Sequence, residues 1–294
     1  MIDRWAEINL ECFDSKDISG SVSRFVRDSL PYFGDENKGV SLIVEFHGDN
    51  IHMWNGAIDA EMPTTMAKGW SYRKLKELVD SLHSHGFEVA HSHQANYYEY
   101  IPSQWINDYH PELGKGIMSF IDITKPLRKD TLRYAEFDNV EGIPYYKFFA
   151  KQWRSFNDEI GFDYIFLRDG WLGKSWRRSF RNFREIRYKT DIYIKIFKEI
   201  SKNGKIITWS TGMSANPFHD GIDIEKILPY VKIYMTQSYS TAWQDFWMKF
   251  QSITGYEGGY TPHIFTTLIN RELTAKHGVK HYIILNAWDW EGWN

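Results

Sequence analysis

The residues with the clearest chemical potential in this sequence are carboxylates that follow short apolar segments. In residues 161–171, GFDYIFLRDGW, five mostly apolar residues precede the charged pair Arg168 and Asp169. A charge at the end of a buried strand belongs at the edge of the sheet, and α/β barrels carry their chemistry at the carboxyl-terminal edge. If Ile165, Leu167 and Asp169 share one face by the period-two rule, the Asp169 carboxylate is delivered to that edge.

Carboxylates also follow other predicted strands. Glycoside cleavage needs two carboxyl groups across one bond: one protonates the leaving oxygen, and the other acts as nucleophile or activates water. The two groups must come from different strands, because one strand end cannot reach both sides of the bond. The predicted edge offers Glu11, Glu45, Asp49, Asp169, Asp289 and Glu291.

Aromatic residues make up 17% of the chain, with 13 Trp and 18 Tyr. Aromatic rings fill cores, but they also form flat platforms on which sugar rings stack. We expect the stacking surfaces to be Trp171, Trp209, Tyr239 and Trp288, and the groups that bind hydroxyls to be His47, His93 and Gln237. Arg168, beside Asp169, would help to keep that carboxylate ionised.

The alternation of strand and helix patterns predicts a single-domain (β/α)8 TIM barrel over residues 1–294. A doubly wound open sheet is the main rival, but no Gly-rich phosphate turn follows any strand, so we expect no nucleotide or other cofactor. Residues 263–270 are either the seventh of eight strands or the start of a helix. The predicted strands cover residues 5–12, 40–47, 87–90, the central segment ending at Asp169, 205–209, 231–235, the ambiguous 263–270, and 281–285.

The segment after the third strand has poor periodicity and several prolines. We expect residues 96–144 to form a long insertion over the edge of the barrel, since long loops in compact domains are usually functional. The sequence ends a few residues after the last predicted strand, without a closing helix. We therefore expect either a truncation there or a different packing of the first strands.

Composition excludes several classes of function. The formal net charge of −3 argues against a nucleic-acid partner, and the basic residues between 174 and 189 are expected on a solvated helix face. The one cysteine, Cys12, excludes an internal disulfide framework and is expected to be a buried strand thiol. No apolar run could span a membrane and no secretory segment is present, so we expect a soluble cytoplasmic protein.

The segment GFDYIFLRDGW resembles the fourth-strand segment of retaining α-glycosidase-type barrels, a group of TIM-barrel glycoside hydrolases. In those barrels an Asp at the strand end is the nucleophile, and a Gly-Phe-Asp marks the start of the strand. The resemblance implies that Asp169 is the nucleophile and that the substrate is an oligosaccharide or glycoside. The strands ending at Thr211 and Tyr239 carry no carboxylate where such families place the acid/base, so Asp289 or Glu45 is the candidate.

Two alternatives remain open. A non-catalytic carbohydrate-binding barrel would explain the lack of a carboxylate on the middle strands. A metal-dependent amidohydrolase-like enzyme would use His91 and His93, which alternate on one strand. Those enzymes also need a histidine or lysine from the middle strands, and none is present there, so we expect no metal site.

Overall fold

In the computed structural model, the described residues are 4–34, 38–44, 56–62, 69–94, 139–140, 143–168, 183–201, 206–210, 223–238 and 261–285. The strands are β1 Arg4–Asn9, β2 Lys38–Ile43, β3 Phe87–Gln94, β4 Asn139–Val140, β5 Ile143–Pro144, β6 Tyr164–Arg168, β7 Ile206–Ser210, β8 Ile233–Ser238 and β9 Lys280–Leu285. The helices are α1 Ile18–Phe33, α2 Tyr72–Ser84, α3 Tyr145–Ile160, α4 Phe183–Ile200, α5 Ile224–Ile227 and α6 Thr261–Lys276. Strands β4 and β5 form a separate antiparallel hairpin.

The main sheet has seven strands in the order β1-β2-β3-β6-β7-β8-β9, and every neighbouring pair is parallel. Each strand of this sheet therefore lies beside the sheet strand that precedes it in the sequence. In a doubly wound sheet, by contrast, the strand order reverses at a switch point. Right-handed crossovers that always advance in one direction place all helices on one face. The result is a curled half-barrel of the α/β class, as expected for a TIM-like architecture. Closure by an eighth strand remains a prediction, because the described residues include no pairing between β1 and β9.

The ambiguous segment at residues 263–270 belongs to helix α6. Its threonines left this segment ambiguous between a strand and a helix. A helix accommodates threonine when the hydroxyl bonds to the preceding turn, and Thr274 Oγ1 lies 2.8 Å from the carbonyl oxygen of Asn270. The predicted seventh strand is therefore not a strand.

The helices begin and end where local chemistry dictates. Ser71 caps α2 by accepting a hydrogen bond from the Lys74 amide, and Leu75, Leu78, Val79 and Leu82 form its buried stripe. Gly86 follows the helix with φ of +78°, a left-handed conformation that favours glycine.

The sheet has two distinct faces. One face packs against the helices in the larger core cluster, to which β3 contributes Phe87 and Val89, and β6 contributes Ile165 and Leu167. The opposite face carries a second, smaller apolar cluster. We call this opposite face of the sheet the concave face and define it by the cluster residues Ala90, Phe166, Ile207, Ile233 and Met235.

Strand β1 is shorter than the predicted 5–12. It ends at Asn9, and Leu10–Cys12 form a 3-10 turn. Cys12 is an exposed free thiol, so the expectation of a buried strand thiol was wrong. The alternating pattern continues past Asn9 in sequence, but the backbone turns before it can place Cys12 in the core.

The start of β6 is fixed by Asp163. Its backbone amide donates to the Val89 carbonyl oxygen (2.8 Å), and its carboxylate accepts a hydrogen bond from the Val89 amide (2.8 Å). The same carboxylate oxygen lies 2.8 Å from His83 Nε2 at the end of α2. The preceding Gly161 has φ of +92°, and Asn157 bonds to the Phe162 carbonyl oxygen. These contacts join α2, α3, β3 and β6 at one junction.

A buried polar group joins β8, β9 and α6 on the helix side. Asn270 Nδ2 donates to Thr236 Oγ1 (3.2 Å), and Thr236 Oγ1 lies 2.8 Å from His281 Nε2. The Thr236 hydroxyl therefore accepts a hydrogen bond from Asn270 and forms a second hydrogen bond with His281. Burial lowers the pKa of His281, and the positive charge of Arg271 lowers it further.

We predict that Asp163→Ala destabilises the protein by about 1–3 kcal/mol, because the Val89 amide loses its acceptor. Asp158→Ala, at an exposed position on α3, is the control and should change stability by no more than about 0.5 kcal/mol. Urea unfolding measures both. Equal stability of the two variants would show that the Asp163 junction does not hold the fold together.

Stability should also depend on the protonation of His281. The pKa of His281 is lowered in the folded state. Neutral His281 therefore contributes to the free energy of unfolding above pH 6.5, and this contribution is lost as the pH falls through the folded-state pKa. His281→Gln retains an acceptor for Thr236 but cannot titrate. Urea unfolding at pH 7.5 and pH 5.5 should show a larger loss in the wild type than in the variant. Identical losses would contradict this assignment.

Candidate functional site

The carboxyl ends of all seven strands lie at one edge of the sheet, because the strands are parallel. Strand β6, which Asp169 follows in sequence, is the fourth of the seven and lies between β3 and β7. Most of the predicted site residues lie beyond strand ends and outside the described residues. These are Glu45, His47, Asp169, Trp171, Tyr239, Trp288 and Asp289. Their roles remain predictions.

Four predicted site residues lie within strands, and the structure describes their backbone. Arg168 ends β6 and pairs in register with Gln94 of β3. Trp209 pairs with Met235, and Gln237 pairs with Ile284. His93 pairs with Leu167. Topology thus brings these four positions toward the same edge from four strands: β3, β6, β7 and β8.

The two residues expected to share a face with Asp169 lie on the helix side. Ile165 and Leu167 are buried in the core formed with the helices, whereas Phe166 belongs to the concave face. Strand β6 is described as far as Arg168, and residue 169 lies outside the described residues. The period-two argument therefore does not by itself place Asp169 over the concave face.

His91 is a core residue. It is fully buried, and its ring centroid lies 5.2 Å from that of Phe156 and 5.4 Å from that of Phe162. Both phenylalanines belong to the core on the helix side of the sheet. The alternative metal site built on His91 and His93 therefore loses its first ligand, because His91 is packed between the sheet and α3.

The amino-terminal half of the concave face is filled by aromatic groups. The ring of Trp5 lies over Gly39, where an added Cβ would come within 2.3 Å of ring atoms. The same ring makes an edge contact with Tyr164, with centroids 5.6 Å apart. The Tyr164 hydroxyl donates to Glu88 Oε1 at 3.3 Å. Access to the concave face is thus restricted from its amino-terminal side.

Farther along the concave face, a carboxylate is held by a hydroxyl. Ser92 Oγ donates to Glu7 Oε1 at 2.6 Å. Ser92 is 1% exposed, whereas Glu7 is only partly buried. The pair spans from β1 to β3 across β2.

Sequence reasoning missed Glu7 because it considered only carboxylates at strand ends. A signal was available in the alternation of β1. Ala6 and Ile8 pack with the helix-side core, and Trp5 packs with the concave cluster. Glu7 lies two residues after Trp5 in the same strand, so the alternation of side chains alone assigns Glu7 to the concave face. Glu11 is exposed on the 3-10 turn that follows the carboxyl end of β1.

The structure contains no cluster of three or more His, Cys, Asp or Glu side chains able to hold a metal, within the residues it describes. None of the helices in those same residues has the length and apolar character needed to cross a bilayer.

No protein-family model matches this sequence, and no curated protein is significantly similar to it. Among solved structures, the chain is similar to the C-terminal domain of a putative chitinase from Desulfitobacterium hafniense DCB-2, with 10% identity, a TM-score of 0.43, and coverage of 81% of this chain and 54% of that one. It is also similar to a noncanonic maltogenic alpha-amylase from Thermotoga neapolitana, with 9% identity, a TM-score of 0.47, and coverage of 98% and 67%. The chain thus spans about half the length of the first of these structures. Similarities of this size establish neither a family nor an activity.

The contact between Trp5 and Gly39 generates a prediction. Gly39→Ala should cost about 1–3 kcal/mol, because the new methyl group collides with the indole ring. In a Trp5→Ala background the same substitution should be nearly neutral. Urea unfolding of the two single variants and the double variant gives the coupling. A cost that is unchanged without Trp5 would rule out the ring as its cause.

Proposed function

We propose that this protein is a glycoside hydrolase that cleaves an O-glycosidic bond at the carboxyl edge of its sheet. The observation that supports this is the order of the parallel strands. Glu45, Asp169 and Asp289 follow β2, β6 and β9 in sequence, and those three strands end at the same edge of one sheet. Glycoside cleavage needs two carboxyl groups across one bond, and carboxylates that follow different strands of one parallel sheet are the candidates for that pair.

In this proposal Asp169 is the nucleophile or the carboxylate that stabilises the transition state. Either Asp289 or Glu45 protonates the leaving oxygen. The substrate is an oligosaccharide or glycoside, which stacks against Trp171, Trp209, Tyr239 and Trp288. Its hydroxyls bind His47, His93 and Gln237, while Arg168 favours ionisation of Asp169.

The experiment is a turnover assay of the wild type and Asp169→Asn against a panel of aryl glycosides and natural oligosaccharides. Substitution of the nucleophile should lower kcat by about 10³-fold or more with little change in thermal stability. Asp158→Asn, an exposed carboxylate on α3, is the matched control and should retain full turnover.

Two outcomes would contradict the proposal. Wild-type turnover that persists in Asp169→Asn would remove Asp169 from the mechanism. Binding of a glycan by the wild type without any product would instead identify a non-catalytic carbohydrate-binding barrel.

A further inference from the structure

Three polar side chains hold the carboxyl-terminal part of β8 from the helix side. Thr236 Oγ1 accepts a hydrogen bond from Asn270 Nδ2 of α6 (3.2 Å) and lies 2.8 Å from His281 Nε2 of β9. Thr236 and Asn270 are 1% and 0% exposed. The His281 ring stacks on Tyr234, with centroids 6.5 Å apart. We call Thr236, Asn270 and His281 the Thr236 network, in which one hydroxyl joins β8, β9 and α6.

The residues on either side of Thr236 in sequence belong to the opposite face of the sheet. Met235 is part of the concave face, and the alternation of a strand assigns Gln237 to that face as well. Gln237 is the residue of β8 that we predict to bind sugar hydroxyls. The Thr236 network therefore anchors the peptide that directly precedes a predicted binding residue.

The strand register gives Thr236 a particular position in β8. Within the residues that the structure describes, Thr236 is the last position of β8 that is level with residues of both neighbouring strands, Ser210 of β7 and Ile283 of β9. Gln237 is the next residue and is level with Ile284 of β9. A shift of Thr236 would therefore be passed directly to Gln237.

The central strand is held against the helices in a different way. The helix-side residues of β6 are Ile165 and Leu167, which make apolar contacts in the larger core cluster. Apolar contacts are not directional, whereas hydrogen bonds weaken steeply when their geometry changes. A buried hydrogen-bonded network therefore fixes the position of a strand more narrowly than apolar packing does.

We propose that Thr236 is a positioning residue for sugar binding, and that the Thr236 network holds Gln237 where it binds a sugar hydroxyl. Thr236 is buried on the helix side, so it acts through Gln237 and does not touch the sugar. This inference rests on the proposed function for the class of ligand, but it requires binding and not turnover.

Thr274 of α6 provides a matched control. It is 1% exposed, as Thr236 is, and its hydroxyl lies 2.8 Å and 2.9 Å from the carbonyl oxygens of Asn270 and Arg271 in the same helix. Substitution by valine removes a buried hydroxyl at either position and nearly preserves the shape of the side chain. A general loss of packing would affect both variants alike, whereas only Thr236→Val frees the end of β8.

The test is isothermal titration calorimetry of the full chain with a panel of glucose, galactose and N-acetylglucosamine oligosaccharides. Thr236→Val should raise the Kd of each bound sugar by about fivefold or more, because the hydrogen bonds that hold β8 are lost. Thr236→Ser restores the hydroxyl and should remain within about twofold of the wild type. Thr274→Val should bind as the wild type does.

A double-mutant cycle tests whether the effect passes through Gln237. Gln237→Ala should itself raise the Kd, and Thr236→Val should add no further loss in that background. Thr236→Ala removes the same hydroxyl without introducing a second methyl group. It carries the same expectations and replaces Thr236→Val if urea unfolding shows that the valine variant does not fold.

Turnover of the same sugars separates this inference from the proposed function. Sugar binding that depends on Thr236 as expected, without any product, supports the positioning role and refutes the hydrolase. Wild-type turnover together with an unchanged Kd in Thr236→Val refutes the positioning role and leaves the hydrolase intact. Equal weakening by Thr236→Val and Thr274→Val, a full loss that persists in the Gln237→Ala background, or failure of the wild type to bind any sugar in the panel also overturns the positioning role.

Discussion

The Asp163 carboxylate is the contact on which the arrangement of the sheet depends. It binds the Val89 amide and His83 together, while its own amide bonds back to the Val89 carbonyl oxygen. These bonds set the register of β6 against β3 and tie both strands to the end of α2. The pairing of Ser92 with Phe166 follows from that register, and so does the position at which β6 delivers the chain to the carboxyl edge. A slip of one residue would exchange the two faces of β6.

The two faces of the sheet carry different polar groups. His91 and the Thr236–His281 pair lie on the helix side, where they pack within the layer between sheet and helices. Glu7 and Ser92 lie on the concave face, where the amino-terminal half is covered by the Trp5 and Tyr164 rings. A polar side chain at mid-strand therefore has a different meaning on each face. On the helix side it packs between the sheet and the helices, whereas on the concave face Glu7 and Ser92 bond to each other across β2.

Much of the fold could be predicted from local patterns. Helix α2 begins after its Ser71 cap and carries a regular apolar stripe, and both features follow from the sequence because capping and amphipathic periodicity act within one or two turns. These sequence patterns did not predict where strand β1 ends, which residues form the start of helix α6, or which contacts distant residues make. Alternation continued through Cys12, although the backbone turns after Asn9, and the threonines at 266 and 267 left the start of helix α6 ambiguous between a strand and a helix. The role of Asp163 could not be predicted, because its partners His83 and Val89 are more than 70 residues away in sequence.

The candidate site was predictable only in outline. Placement of polar residues after parallel strands follows from topology, and the strand order supports it. The face on which a residue at the end of a strand lies could not be predicted. Ile165 and Leu167, which we expected to share a face with Asp169, lie on the helix side of the sheet. Glu7 was not predicted, because a carboxylate in the middle of a strand can be interpreted only when the face of the sheet on which it lies is known.

Covalent labelling by epoxyalkyl glycosides, which esterify carboxylates beside a bound sugar, tests whether sugar binds at the carboxyl edge of the sheet. We expect an ester, prevented by excess free sugar, on a carboxylate that follows the carboxyl end of a strand, with Asp169 the first candidate. Peptide mass spectrometry identifies the labelled residue. A label on an amino-edge carboxylate such as Glu88 that free sugar prevents, or no label that free sugar prevents, would refute a sugar site at the carboxyl edge.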